Sequence, residues 1–267
     1  MPTPATYTHG QHRSVLDSYL LRTAETSAGY LLPHLEPGMS VLDIGCGPGA
    51  ITADLAAAVA PGEVIALDAS AEVLDQAAVL WAERGVNVAP LTADAAATGL
   101  PDDCVDVVHA HQVLQHVGDP VAVLVEMRRV CRPGGIVAAR DADYASFTWY
   151  PESPALTAWL DLYRRVQRAN GGEPDAGRRL RSWAQLAGFT DVAATSSTWT
   201  YADADAPASW ARMWADRLLL SPIRDQAVAG GHATPADLDE IAAGWLDWGG
   251  APDAWFALVH GEILCRA

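Results

Sequence analysis

The sequence predicts an α/β protein in which a mostly parallel sheet carries helices on both faces. Three observations lead there. Val41-Leu42-Asp43-Ile44 runs straight into Gly45-Cys46-Gly47-Pro48-Gly49-Ala50, an apolar run with an acid, then a loop with glycine at every second position, then an alanine-rich stretch of helical spacing. Short apolar runs alternate with segments of helical period as far as about residue 141, the pattern of strands joined through helices. Acids stand at the carboxyl ends of several of those runs.

Composition bounds the rest. A chain of 267 residues, half of them hydrophobic, suits one α/β domain with an elaboration. The formal net charge is −16, every one of the 17 basic residues is arginine, and no basic run occurs, so a nucleic-acid partner would be repelled. The acidic surplus also serves solubility. Cys46, Cys104, Cys131 and Cys265 are widely spaced with no C-x-x-C pair, against a disulfide framework or a structural zinc. The first residues lack the apolar core of a signal peptide and no run reaches the roughly 18 apolar residues of a membrane span, so a cytoplasmic protein without membrane contact is expected.

In chain order, Val15, Leu16, Tyr19, Leu20, Thr23, Ala24, Ser27 and Leu31 recur at helical spacing and predict a helix over 13–32. After the glycine loop, a helix over 50–60 stops at Pro61-Gly62, and Val64-Ile65-Ala66-Leu67 is a buried strand closing on Asp68. A helix over 70–84 follows, then strand Val86–Leu91 leading to Thr92-Ala93-Asp94-Ala95. The segment Leu100–His111 reads as the fourth strand, a helix over 119–131 and the turn Arg132-Pro133-Gly134-Gly135 come next, and Ile136–Arg140 is the fifth. All but one of the ten tryptophans follow residue 148, among helical patterns at 153–170, 176–187, 207–219 and 235–247. Strands are expected at 190–200 and 254–265.

The glycine loop is a cradle: without Cβ atoms the backbone turns sharply, approaches a ligand closely and leaves amides free at a helix N-terminus. Gly45, Gly47 and Ala50 fit the dinucleotide spacing G-x-G-x-x-G/A. Asp43 argues otherwise, because its carboxylate would face a pyrophosphate with no basic residue in the loop to offset it, whereas a ligand with an amino group and a sulfonium would be attracted. Asp68 is placed to accept from both ribose hydroxyls, the alternative role of helix N-cap falling to Ser70.

Residues 39–141 resemble the Rossmann-like, class I S-adenosylmethionine-dependent methyltransferases, motif by motif from Val41–Ala50 through Asp68, Asp94 and Arg132–Gly135. The likeness is closest to the branch of ubiquinone/menaquinone-biosynthesis and other small-molecule methyltransferases. It implies a seven-stranded, mostly parallel sheet whose last strand is antiparallel, an N-terminal lid over 1–38, a cofactor-binding core over 39–144, and a helical substrate cap with the last two strands over 145–267. It implies S-adenosyl-L-methionine as cofactor, held by Asp43, Gly45, Cys46, Gly47, Gly49, Asp68, Ala69, Asp94, Ala95, His111, Gln112 and His116. Tyr7 would join from the lid if that segment folds over the ligand, and His9, His12 and Arg13 could follow; each is equally a tail residue. Asp94 would accept from the adenine amino group while the Ala95 amide donates to a ring nitrogen.

The absence of N/D-P-P-Y/F after the fourth strand disfavours an amino-group methylase acting on adenine or glutamine. His109, His111 and His116 raise a metal site, but their spacing is not that of metal ligands, and no metal is expected. Methyl transfer needs mainly alignment, and a base where the acceptor is a hydroxyl or an acidic carbon. His116 and then Asp141 are the candidates; His116 could instead cap a helix, and Asp141 could pair with Arg140 or a lid arginine. Tyr144 and Trp149, which follow a strand ending at the cleft, are the candidate substrate residues. A small apolar or aromatic acceptor of secondary or quinone-type metabolism, methylated at oxygen, carbon or nitrogen, is the expected substrate, with a homodimer left open. The alternatives are an S-adenosylmethionine-binding protein of the same fold that does other work, and a nicotinamide oxidoreductase, for which no Tyr-x-x-x-Lys pair exists.

Overall fold

The computed structural model describes Thr8, residues 22–203 and residues 205–267. Most of the expected lid helix, and with it Tyr7, His9, His12 and Arg13, lies outside the described residues. Of that segment, α1 spans Ala24–Ala28, its first turn closed by a capping box between Thr23 and Thr26.

The alternation read from the sequence is present. Strand β1 (Val41–Ile44) leads to α2 (Ala50–Val59), β2 (Val64–Asp68) to α3 (Ala71–Glu83), and β3 (Ala89–Thr92) through a loop to β4 (Val105–His111), with α4 (Pro120–Val130) before β5 (Cys131–Ala142). These five strands are parallel, in the order β3-β2-β1-β4-β5. The β3 edge is where Pro90, with no N–H to give to a ladder, can be tolerated. The turn expected at 132–135 is absorbed into β5 as an irregularity: the β4 partner register jumps between Val105 and Val107, and Gly134 takes φ +78.

Beyond β5, β8 (Trp255–Arg266) runs antiparallel to it and also pairs with β7 (Val192–Tyr201) along almost its whole length. A short eighth strand, β6 (Thr148–Tyr150), continues past β5 on the same edge of β8 and adds one strand to the seven expected. Helices α5 (Pro154–Ala169) and α6 (Leu180–Leu186) precede β7; α7 (Ala206–Leu220), α8 (Pro222–Ala229) and α9 (Pro235–Gly249) lie between β7 and β8. The sequence reading omitted α8, although Ser221 followed by proline at the first helical position is a start signal, and the Ser221 hydroxyl accepts from the Ile223 amide.

One face of the sheet packs Val41, Val64, Val107, Ile136 and Ala138 against α1, α2 and Leu31. The other packs Leu42, Ile44, Val108, Ala110, Val137 and Ile263 against α4 and α6. The cap has its own core, in which Trp159 meets Trp214 at 4.4 Å and Trp245 at 4.8 Å, both edge-on, and β8 inserts Phe256 among them. Most of the tryptophans are therefore spent on holding the cap together. Among the described residues no helix is long and apolar enough to cross a membrane.

Candidate active site

The three loop glycines have positive φ (+64, +54 and +81), but only one of them faces open space. A Cβ on Gly45 would come within 2.5 Å of Val113, and one on Gly49 within 2.4 Å of the Trp81 indole, so these two are bare to let the loop pack. Among the described residues, a Cβ on Gly47 would meet nothing within 4 Å. The loop is tied down around that opening: Trp81 donates to the Gly49 carbonyl at 3.0 Å, Cys46 N–H to Leu67 at 3.0 Å, and Gly47 N–H to the Asp68 carboxylate at 3.1 Å.

Asp68 also accepts from Ser70 N–H at 3.0 Å, and Ser70 itself caps α3 by accepting from Val73 N–H. The Asp68 carboxylate remains half-exposed, its pKa raised by burial against the amides that lower it. Ala69 is exposed beside it, and burial with the Asp43 and Asp68 charges keeps the Cys46 thiol protonated. Asp94 is exposed and closes its own turn by accepting from Ala96 N–H at 2.7 Å, while Ala95 is half-buried.

Asp43 departs from expectation. It was expected to stand open toward an amino group, but it is 3% exposed, one oxygen accepting from the Thr52 hydroxyl at 2.6 Å and the other from His109 Nδ1 at 2.7 Å. Register explains this: Asp43 and His109 are cross-strand neighbours on one face, and Thr52 rises from the helix that the loop starts. The carboxylate anchors the cradle from behind and puts its negative charge under it. Thr52→Val should lower stability by about 1–3 kcal/mol in urea unfolding, since it leaves a buried carboxylate oxygen unpaired.

On the other half of the sheet, β4, β5, β8 and β7 bring His111, Arg140, His260 and Ser197 to one face: His111 pairs with Arg140 in register, and His260 with both Ala142 and Ser197. Arg140 is fully buried, donating through Nε to Glu262 at 3.2 Å and to Ser197 at 3.1 Å, with its guanidinium 4.8 Å from the Trp199 ring. Burial lowers its pKa to about 10, which leaves it charged at neutral pH. The sequence offered Arg140 as a partner of Asp141. Adjacent strand residues point to opposite faces, so the two cannot meet, and the true partner is Glu262. Gln112, at φ +55, brings its Nε2 to 2.8 Å from His260 Nε2, and His111 lies 6.2 Å from the His260 ring.

His116 and Asp141 are joined through Gln115. The Gln115 N–H donates to Asp141 Oδ1 at 3.0 Å, the Ala142 N–H donates to Gln115 Oε1 at 3.1 Å, and Gln115 Nε2 lies 3.0 Å from His116 Nε2. Because Oε1 is the accepting end, the amide nitrogen must donate to His116, whose Nε2 then offers its lone pair and whose proton sits on Nδ1. Burial, with Arg22 and Arg217 nearby, pushes the His116 pKa down to about 3. His116 is thus a neutral imidazole held by Gln115. Asp141, pushed up to about 8 by burial, holds Gln115 from beneath and acts on His116 only through it.

Tyr144 departs from its expected place as well. It is buried in the cap core, stacked 4.3 Å from Tyr163 and 4.4 Å from Phe147, because the chain turns inward directly after β5. Trp149 stacks on Phe256 at 6.0 Å and lines a groove of about 400 Å³ with Thr148, Glu152, Ser153 and Thr157, away from the strand-end histidines. Among the described residues no three His, Cys, Asp or Glu side chains form a group that could hold a metal ion. Sequence reasoning missed Trp199, His260 and Glu262. Their signal was present as His260 and Glu262 alternating inside the otherwise apolar strand 254–265.

A family model described as a methyltransferase domain matches residues 35–188. An uncharacterized methyltransferase of Schizosaccharomyces pombe is 32% identical over 97% of this chain and 96% of its own length. Trans-aconitate 2-methyltransferase of Methylobacterium radiotolerans is 31% identical over 73% of this chain and 75% of its own. In fold, the solved YcgJ protein of Bacillus subtilis is similar with a TM-score of 0.57 at 18% identity, covering 89% of this chain and 97% of that one. The Asp68 carboxylate lies beside the Gly47 opening, and Asp94 follows β3, the strand next to β2. The chain belongs to the class I S-adenosylmethionine-dependent methyltransferase family, and S-adenosyl-L-methionine is its cofactor.

Proposed function

We propose that the protein methylates a small organic molecule with an apolar or aromatic body, as in secondary or quinone-type metabolism, residues 39–144 serving mainly the cofactor and the acceptor being received where β4 and β5 meet the cap of 145–267. The observation that carries this is enclosure. His111 and Arg140, near the carboxyl ends of β4 and β5, and His260 on β8 are 7%, 0% and 0% exposed, so a reacting group held among them would be closed off from solvent and out of reach of a polymer. A net charge of −16 with no basic run supports the same exclusion of nucleic acid.

The bound cofactor supplies a methyl group already activated on a sulfonium. What the chain contributes is alignment and exclusion of water, worth about 7–11 kcal/mol of barrier. Gly47 leaves room for the nucleoside, Asp68 and Asp94 present carboxylates to its ribose and base, and Gln115 fixes the orientation of the His116 ring. Incubation with methyl-labelled cofactor and a panel of phenols, hydroxyquinones, amines and organic acids tests this: label should move to at least one small acceptor. Label recovered only in the unreacted cofactor, or cofactor binding with turnover of an acceptor that gains no label, would sink it.

A further inference from the structure

Building on the methyl-transfer reading, and resting on it, we propose that the acceptor carries an oxyanion, a carboxylate or the ionised oxygen of a phenol or enol, received by Arg140, His260 and His111.

Buried polar atoms are paired in folded proteins, and each exception asks for an explanation. Four such exceptions lie together on one face of the sheet. Arg140 Nη1, His260 Nδ1 and both ring nitrogens of His111 are buried with no hydrogen-bond partner among the described residues. They lie on one face of three consecutive strands, β4, β5 and β8, with the His111 and His260 rings 5.7 and 4.5 Å from the same Trp199. The unpaired set is rich in donors. Arg140 Nη1 has only protons to give, and Gln112, by presenting its amide nitrogen to His260 Nε2, leaves the His260 proton on Nδ1. His111, neutral, adds one donor and one acceptor.

The carboxylate that balances Arg140 cannot serve these donors, because both Glu262 oxygens are engaged, one by Arg140 and Ser197, the other by Thr195 at 2.8 Å. Bound water would bring protons as well as lone pairs, and an oxyanion brings lone pairs alone, which is what a cluster of donors lacks. Arg22, its guanidinium 5.2 Å from the Trp199 ring, adds positive charge on the same side, and the Trp199 N–H bond to Thr26 O at 2.8 Å closes α1 over the group. In such a dry setting charge-assisted hydrogen bonds are stronger than in water. Burial keeps the His111 and His260 rings below the ordinary histidine range, so they act as neutral donors through the physiological range.

Position assigns these donors to the acceptor and not to the cofactor. The loop after β1, Asp68 on β2 and Asp94 after β3 occupy one half of the strand order, while the donor cluster occupies β4, β5 and β8 on the other side of β1.

The test is calorimetry on the full chain saturated with S-adenosylhomocysteine. Benzoate, 4-hydroxybenzoate, trans-cinnamate and fumarate are compared with their primary amides, and 4-nitrophenolate with 4-nitroanisole, so the two arms separate a carboxylate from an ionised phenol. At least one anion should bind about tenfold or more tightly than its neutral counterpart. His260→Phe, and the double variant Arg140→Met with Glu262→Leu that removes the buried pair together, should erase that preference while S-adenosylhomocysteine affinity stays within about threefold. His260→Asn, which keeps a donor, should restore part of it. Equal binding of anions and neutral analogues, no anion bound in either arm, or loss of S-adenosylhomocysteine affinity in step with the anion would overturn the proposal, the last by assigning the donors to the cofactor's own carboxylate. If the unmodified protein binds no S-adenosylhomocysteine, the methyl-transfer reading itself falls, and this proposal with it.

Discussion

Gly47→Arg should abolish binding of S-adenosylmethionine and S-adenosylhomocysteine, by at least about a hundredfold in Kd, without unfolding the protein. Among the described residues the added Cβ would meet no atom within 4 Å, so the fold can carry the side chain while it fills the opening proposed for the cofactor. The residual cost to the fold is that of an L-residue at φ +54, about 1–2 kcal/mol, or a Tm lower by several degrees. Gly49→Ala is the contrast: its Cβ would press on the Trp81 indole at 2.4 Å, so it should lose stability first and binding only as a result. Titration calorimetry with thermal unfolding on both variants separates the two. Retained cofactor binding in Gly47→Arg would remove the cradle from the account of this site.

Asp141→Asn should make the protein more stable at pH 8 and remove the fall in stability above about pH 6.5. Burial raises the Asp141 pKa from 3.8 to about 8 in the folded chain. Below about 4 the carboxyl is protonated in both states and contributes no slope. Between 4 and 8 the unfolded chain releases its proton and the folded chain keeps it, so stability falls with rising pH, by up to about 1.4 kcal/mol per unit. Asparagine is neutral throughout and keeps an oxygen for the Gln115 N–H, so that slope should vanish. His116 works in the opposite direction. Its folded pKa of about 3 lies below the ordinary 6.5, so its contribution is present above 6.5 and lost as pH falls toward 3. Taken together, the two groups leave the natural protein level from about pH 4 to 6.5 and falling above that, whereas the variant should gain stability up to about 6.5 and then hold level. Urea midpoints from pH 4 to 9 measure both ranges; parallel curves would show that Asp141 is not the group responsible.

The cofactor half was legible in the sequence because it is local. A glycine loop between a strand and a helix, and acids at the ends of successive strands, are set by spacing within a few residues, and Gly47, Asp68 and Asp94 lie where such spacing puts them. Even there, Asp43 turned inward, because what it meets, His109, arrives from a strand 66 positions away. The acceptor half could not be read in the same way. Arg140, Glu262, His260 and Trp199 become neighbours only through the register of β5, β8 and β7. Likewise, the protonated nitrogen of His116 is dictated by a glutamine held by the Ala142 amide, which no motif encodes. Tyr144 was placed by its nearness to the end of a strand, whereas the chain folds back there and gives the ring to the cap.

The position of β8 between β5 and β7, both of which precede it in the chain, has a consequence for how the protein is made. On the ribosome β7 emerges with no sheet edge to join, and Trp159 and Trp245 wait for Phe256. Until β8 inserts, β7 has no partner strand and the aromatic cluster lacks Phe256, so closure of the cap waits on that single strand.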